Sequence, residues 1–567
     1  MARDAAKGAS RLVRPVTLNR RQALAAAAGA AAAGGLAAVT MGDGGAAGTV
    51  AGSAAAAASG RSGAGAGRAG NGGVVLAPST TDAANAAPLP ALAPVAVAAN
   101  LSAEQLLRRV TYAPTPALRA EVAKLGISNW LALQLAPARI PDPLGDRVSA
   151  LYPRLTWSIS RVKAMQAQND KYYEFLYEPG LQHLGRAIWS RRQLFEIMVE
   201  FWSDHLNVPA PADKGSFARH RYDADVIRKH ALGRFEDMLV ASSTHPAMLA
   251  YLDNELSTRQ QPNENYAREL MELHTLGVDG GYTETDVKQA ALLLTGWETP
   301  RDTGVTRYVP DRHHTGPVTI LRRRYANGTG SAGRAAQQQF VRSLAMHPST
   351  AQHVCRKLAI RFVSDTPSAE LVAALAATYL RNRTAIAPVL RQLFASAEFA
   401  SAGGMKMRRP FERIVAVIRT LDARYTGDPA GLLSLYWMTK SAGHVPMAWP
   451  TPDGYPDVAR SWQSPADALE LINHTSSLVH NWYPTTIGLP GPAKLLAEPP
   501  GTRAATIDAV ALKVLGRLPT AQEKAAVNTL LAATKLPSSY RTEAWGRDET
   551  AALTAIVLMT SPTFLSR

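Results

Sequence analysis

The sequence predicts a mainly α protein, a multi-helix, bundle-like domain with a minor β-hairpin insertion. Three observations point there. Apolar residues recur at helical spacing, as Val287, Ala290, Ala291 and Leu294 do. Helix start signals are frequent, and Thr283 is followed three residues later by Asp286 in the manner of a capping box. Strand character is confined to two short runs, 306–309 and 318–325, with His313 and His314 in the turn between them. No series of strands is present that would build a major sheet.

Residues 1–39 read as an export signal. Arg3, Lys7, Arg11 and Arg14 precede Asn19-Arg20-Arg21-Gln22-Ala23-Leu24, and an Ala/Gly-rich, weakly apolar segment follows. Arg20 and Arg21 resemble the pair of a twin-arginine signal. The segment is too short and too rich in Ala and Gly for a comfortable membrane span. The expected location is therefore exported, extracellular or in the cell envelope, with membrane contact only during export. Residues 40–99 are Ala, Gly, Ser and Pro, which cannot bury enough apolar surface to offset ordering entropy, so they read as a disordered linker. A large helical domain is expected over 100–500 and a small C-terminal helical module over 501–567.

Within the large domain Ser102 opens one helix and Thr115-Pro116 another. A third starts at Ser128 and carries Trp130, Leu131 and Leu135. Long helices are expected over 161–178 and 181–206, and shorter ones over 222–230, 234–242 and 246–255. A central pair follows. Asn263 caps its first helix, Gly277 ends it, Gly280 and Gly281 turn the chain, and Thr283 opens the second. There is also a weak internal echo. KLAIRFVSDTPSAE (357–370) is echoed by KVLGRLPTAQE (513–523), and LFASAEF (393–399) by LMTSPTF (558–564). This reads either as a duplicated helical unit or as convergent bundle grammar.

The 567 residues carry a formal net charge of +16. Eight Lys/Arg and three Asp/Glu fall in the first hundred, so +11 remains on the rest. A basic balance suits nucleic acid or an anionic envelope polymer, but no basic run with interleaved aromatics and no nucleic-acid motif is present. A solvated Arg-rich surface accounts for the charge, and no nucleic-acid partner is expected. The single cysteine, Cys355, excludes an intramolecular disulfide and a cysteine-based zinc site. No Gly-x-Ser-x-Gly elbow, phosphate loop or dinucleotide fingerprint stands out.

The richest stretch is PNENYARELMELHTLGVDGGYTETDVKQAALLLTGW, residues 262–297. On a helical wheel Tyr266, Ala267, Leu270, Met271 and Leu273 share one side. Glu264, Asn265, Arg268, Glu269 and Glu272 share the other. The polar side is either an exposed salt-bridge ladder or the wall of a cleft. In a cleft Glu269 and Glu272 would be acid–base groups, with Arg268 and Asn265 as binding groups. His274 falls on the apolar arc, as does His205 on the FWSDHLNV helix. Such histidines are satisfied core residues, or, if the two helices pack, a buried acid–base or metal-ligating pair. His313 and His314 offer a third place for a divalent metal, the alternative being an exposed turn. The Pro-rich loop HVPMAWPTPDGYPD (444–457) carries Trp449 and Tyr455, either as a contact surface for carbohydrate or peptide or as a cover over the core.

Several of these segments carry a resemblance. PNENYARELMELHTLGV with GGYTETDVKQAALLLTGW, FWSDHLNV, HVCRKLAIRFVSD and WPTPDGYPD occur in the order found in a bacterial family catalogued as domain of unknown function 1800. The chain resembles that family from about 103 to about 478. One departure stands out. Many relatives carry His-Asp-x-Gly-x-Lys where this chain reads His313-His314-Thr315-Gly316-Pro317-Val318, without the acid and the lysine. The resemblance implies no established reaction. It does imply a partner, because relatives are commonly encoded beside an exported sulfatase-like family. Three readings follow: an exported protein that binds or assists a partner at the cell envelope, a secreted hydrolase acting on an extracellular polymer through Glu269, Glu272 and His205, or a scaffold without an active site.

Overall fold

The structure is a computed structural model, and it describes residues 92–567 except 169–170, 499, 535 and 537–543. The expected export signal with Arg20 and Arg21, and nearly all of the expected linker, lie outside the described residues. The described chain is mainly helical. Its strands form two small antiparallel pairs, Trp297–Glu298 with Arg307–Tyr308 and Val318–Ile320 with Arg323–Tyr325. The two strand-like runs therefore do not pair with each other: 306–309 finds its partner upstream, at Trp297, and 318–325 folds back on itself.

Two expected long helices are broken. The run over 181–206 is two helices, Glu178–Trp189 and Gln193–His205. Between them the buried Asp142 carboxylate accepts hydrogen bonds from the Arg191 N–H at 2.8 Å and the Ser190 hydroxyl at 2.7 Å. These side-chain bonds hold Ser190 in an extended conformation and end the helical ladder. The run over 161–178 is an Ile159–Ala167 helix followed by a single turn, Tyr172–Phe175.

The central pair forms with its expected caps. The Asn263 side chain accepts from the Tyr266 N–H at 3.0 Å, and Thr283 with Asp286 makes a reciprocal capping box. The first helix changes type, however. Glu264–Met271 is α-helical and Glu272–Leu276 is a π-helical turn, with the Thr275 hydroxyl donating to the Leu270 carbonyl. Such wide turns are frequent at functional sites. A second one occupies Asp223–Arg228.

The internal echo is visible as repeated capping. Ser368 caps Ala369–Arg381 and Thr520 caps Ala521–Ala533. Downstream, Ser396 accepts from the Phe399 N–H and Ser561 from the Phe564 N–H, and both phenylalanines are buried. The last residues are laced into the rest of the chain. The Arg408 N–H donates to the Leu565 carbonyl at 2.8 Å, and the Arg567 N–H donates to the Lys406 carbonyl at 2.7 Å. One continuous apolar core runs from Leu106 and Leu107 to Phe564.

Candidate functional site

Five separated segments meet in a buried charge cluster. The Gln193–His205 helix supplies Glu200 and Asp204. The Pro348–Phe362 helix supplies Arg361, and the start of Pro410–Thr420 supplies Arg409 and Glu412. Asp457 comes from the Pro-rich loop and Arg567 from the chain end. Arg409 donates to Asp204 at 2.7 Å and also to Glu200, whose other oxygen accepts from the Tyr112 hydroxyl at 2.6 Å. Arg361 pairs with Glu412 and, at 3.5 Å, with Asp457. Lys406 reaches Asp457 at 3.0 Å, and Arg567 reaches Glu412 at 3.3 Å.

Charges held in a low-dielectric interior survive only when paired. The effects on the carboxyls differ with their surroundings. Burial pushes Glu412 up, but Arg361, Arg567 and Arg409 together hold it well below the usual carboxylate range. Asp457 is likewise driven down, by Lys406, Arg361, Arg409 and Arg567 against burial. Asp204 goes the other way. Burial and the neighbouring Glu200 outweigh Arg409 and raise it to about 6.

Beside this cluster runs a seam of basic side chains. The His205 ring donates from Nε2 to the His274 carbonyl at 3.1 Å, and its buried Nδ1 has no partner among the described residues. His274 and His353 each keep a buried Nε2 without a partner among the described residues, and the centroids of the His205 and His353 rings lie 5.9 Å apart. Lys357, one turn after His353 on the same helix, is half-buried, and no described residue bonds its ammonium. Burial, with Lys357 and His353 next in effect, lowers His274 to about 3. Burial and Lys357 lower His353 to about 4. His205 is held well below the ordinary imidazole value by burial and then Lys357, so all three rings are neutral near pH 7. Burial also lowers Lys357, against the opposing fields of Asp204, Asp453 and Asp457.

The Pro-rich loop closes over the seam. Asn207 donates from Nδ2 to the carbonyls of Trp449 and Thr451, both at 2.8 Å, and the Tyr251 hydroxyl donates to the Pro450 carbonyl at 2.7 Å. Gly454, at φ +74°, packs directly on the end of the Gln193–His205 helix, where a Cβ would fall 2.0 Å from the Asp204 carbonyl oxygen. Tyr455 is buried, takes the Val445 N–H on its hydroxyl at 3.1 Å, and lies tilted against the His444 ring with centroids 4.2 Å apart. Trp449 stays at the half-buried edge, with its indole N–H on Asp453 at 2.9 Å.

The acidic face of the central helix borders the same seam. Glu269 is half-buried, and burial followed by Glu272 raises its carboxyl, with Asp453 adding to the effect. Glu272 accepts from the Tyr282 hydroxyl at 2.7 Å. A ladder of Glu264, Arg268 and Glu272, one of the two readings of this face, does not form. Arg268 instead makes a bidentate pair with Glu284 on the next helix, at 2.7 Å for each bond. Asn265 is exposed.

The His313-His314 turn lies elsewhere. His313 is buried, with Nε2 donating to Asn327 Oδ1 at 2.8 Å and Nδ1 3.0 Å from the Thr295 carbonyl. Asn327 Nδ2 donates to the His314 carbonyl, which fixes the orientation of its amide. Both ring nitrogens of His313 are thus engaged in holding the fold. His314 is half-buried, and burial and then His313 lower its pKa. Among the described residues, no three His, Cys, Asp or Glu side chains are gathered so as to hold a metal ion.

The structure brings His205, His274 and Glu269 to one seam and leaves His313 and His314 apart. His353, Lys357, Asp204, Arg409 and Asp457 were not singled out from the sequence. His353 and Lys357 are four residues apart in HVCRKLAIRFVSD, a spacing that puts both on one helical face and was a legible signal.

Comparison with curated proteins and with solved structures gives no match. A family profile described as "Protein of unknown function (DUF1800)" matches residues 105–566. That span holds every segment of the cluster except the side chain of Arg567. The chain belongs to the DUF1800 family.

Proposed function

We propose that this is an exported protein that binds a partner at the cell envelope through the seam between the central helix, the Pro348–Phe362 helix and the Trp449–Asp457 loop. The observation that carries this reading is Lys357, a half-buried ammonium that no described residue bonds. A cation in that position is completed by an anionic group from outside the chain. Glu269, Glu272 and Trp449 form the accessible edge at which a partner would enter. The favoured partner is an exported sulfatase-like protein of the kind encoded beside relatives.

The test is direct binding of the purified full chain to that protein by titration calorimetry, beside Lys357→Met. The proposal expects binding that the variant weakens by about tenfold, a typical loss for one charge-assisted contact, with an unchanged melting temperature. Absence of binding, or equal binding by the variant, overturns it.

A second reading is a hydrolase acting on an extracellular polymer. It rests on Asp204 at about 6 and the raised Glu269, two carboxyls displaced toward the pH at which proton transfer is efficient. Hydrolysis of a polymer that is abolished in Glu269→Gln while the fold is kept would favour it over partner binding.

A further inference from the structure

The Val318–Ile320 and Arg323–Tyr325 hairpin turns through Leu321 and Arg322, both in the left-handed region at φ +50° and +62°. Gly, Asn and Asp are the residues that such a two-residue turn favours. Here the turn carries arginine, and two more follow, giving Arg322, Arg323 and Arg324 in a row. All three are exposed, and no described carboxylate pairs with them. Arg323 lies over the Tyr325 ring at 5.4 Å.

The hairpin is fastened so that this tip is presented outward. Val318, Ile320 and Tyr325 are buried beneath it. Asp286 accepts from the Leu321 N–H at 2.7 Å, and its other oxygen is taken by Thr283, so its carboxylate is already engaged. The Tyr325 hydroxyl and Ser343 share a hydrogen bond at 2.7 Å, which ties the hairpin to the Ser331–Ala345 helix. Between the two lies an open groove lined by Arg323, Gln338, Gln339, Arg342 and Met346. Arg342 is paired with Glu236, but the amides of Gln338 and Gln339 bond no described residue. Among the described residues no aromatic side chain lines the groove, so these residues offer no stacking platform of the kind that binds single-stranded nucleic acid.

We propose that this hairpin tip and groove bind an acidic polysaccharide. Arg322, Arg323 and Arg324 take its carboxylate or sulfate groups, and Gln338 and Gln339 take its hydroxyls. Guanidinium forks suit planar or tetrahedral anions bidentately, and unengaged amides supply both donors and acceptors for sugar hydroxyls. The surface is separate from the Lys357 seam and does not depend on its role.

The test uses the full chain with fluorescently labelled alginate (a carboxylate polymer), dextran sulfate, neutral dextran and single-stranded DNA, at low and moderate salt. Binding to alginate or dextran sulfate but not to neutral dextran is expected, and which of the two binds identifies the acidic group. The triple variant Arg322→Gln, Arg323→Gln, Arg324→Gln should weaken that binding by at least about tenfold and flatten its salt dependence. A charge-matched control, Arg356→Gln, Arg383→Gln, Arg391→Gln, removes three exposed arginines outside the groove. It should weaken binding by less than about threefold if contact rather than net charge decides. Equal losses in the two variants, no binding to either acidic polymer, or tighter binding of DNA than of both would overturn the proposal.

Discussion

Arg409 donates to Asp204 across 2.7 Å and to Glu200 one turn earlier on the same helix. A single guanidinium therefore fastens two of the three carboxylates of the Gln193–His205 helix to the start of Pro410–Thr420. The consequence is a polar core whose members come from distant parts of the chain, and whose integrity is open to measurement.

Arg361→Met should be strongly destabilising. It leaves Glu412 and Asp457 with fewer buried partners, and breaking such a pair costs about 3–5 kcal/mol. The denaturant midpoint should fall with little change in slope. A loss under about 1 kcal/mol, the range of surface pairs, would mean that the cluster contributes no more than they do.

Stability should fall with acid in two stages. His205, His274 and His353 titrate below their unfolded value near 6.5, so the unfolded state binds more protons as pH falls through that point. The contributions of His274 and His353 are complete above about pH 6.5 and are lost as pH falls to about 3 and about 4, and that of His205 is lost in the same direction. Glu412 and Asp457, held below the unfolded carboxyl range, add a second loss below about pH 4. His274→Gln should flatten the first stage only. An unchanged profile between pH 6.5 and 4 in that variant would remove His274 from the account.

Asp204 should act in the opposite sense. Its carboxyl is raised to about 6, so the folded state holds a proton that the unfolded state has released, and its charging opposes folding as pH rises from about 4 to 6. Asp204→Asn keeps the hydrogen-bonding shape and should lessen that loss. Stability curves against pH for the variant and the parent chain decide it.

Gly454→Ala should loosen the Pro-rich loop. The substitution places a Cβ against the Asp204 carbonyl at a positive φ, a strain of about 1–3 kcal/mol. Trp449 lies in the same loop, so its fluorescence should shift toward the solvent-exposed value. Wild-type emission and stability would show that the loop accommodates the methyl group.

Glu269→Gln with Glu272→Gln should leave stability within about 0.5 kcal/mol, since neither side chain is fully buried. Elemental mass spectrometry on both chains shows whether a divalent metal depends on them. Stoichiometric metal lost in the variant would make this helix a metal site.

Much of the fold was legible because its signals are local. The Ser102, Thr115, Asn263 and Thr283 caps each depend on residues within three or four positions, and each forms. The broken helix at Ser190 was not legible, because the carboxylate that breaks it is Asp142, nearly fifty residues upstream. Arg268 shows the same limit. Spacing offered it Glu264 and Glu272 at i±4, and packing gave it Glu284 on the neighbouring helix.

The sequence by itself determined that this is a mainly helical chain, where several of its helices before Trp297 start, and that His205 and His274 sit on apolar faces. These follow from backbone hydrogen bonding and side-chain periodicity, which act over a few residues. Only the tertiary structure decided which charges pair, that no described residue bonds the Lys357 ammonium, and that His313 is locked between Asn327 and Thr295. The strength of a charge or a hydrogen bond depends on distance in space and on local burial, and segments such as 200–204, 353–361, 409–412 and 457 acquire both only when the helices pack.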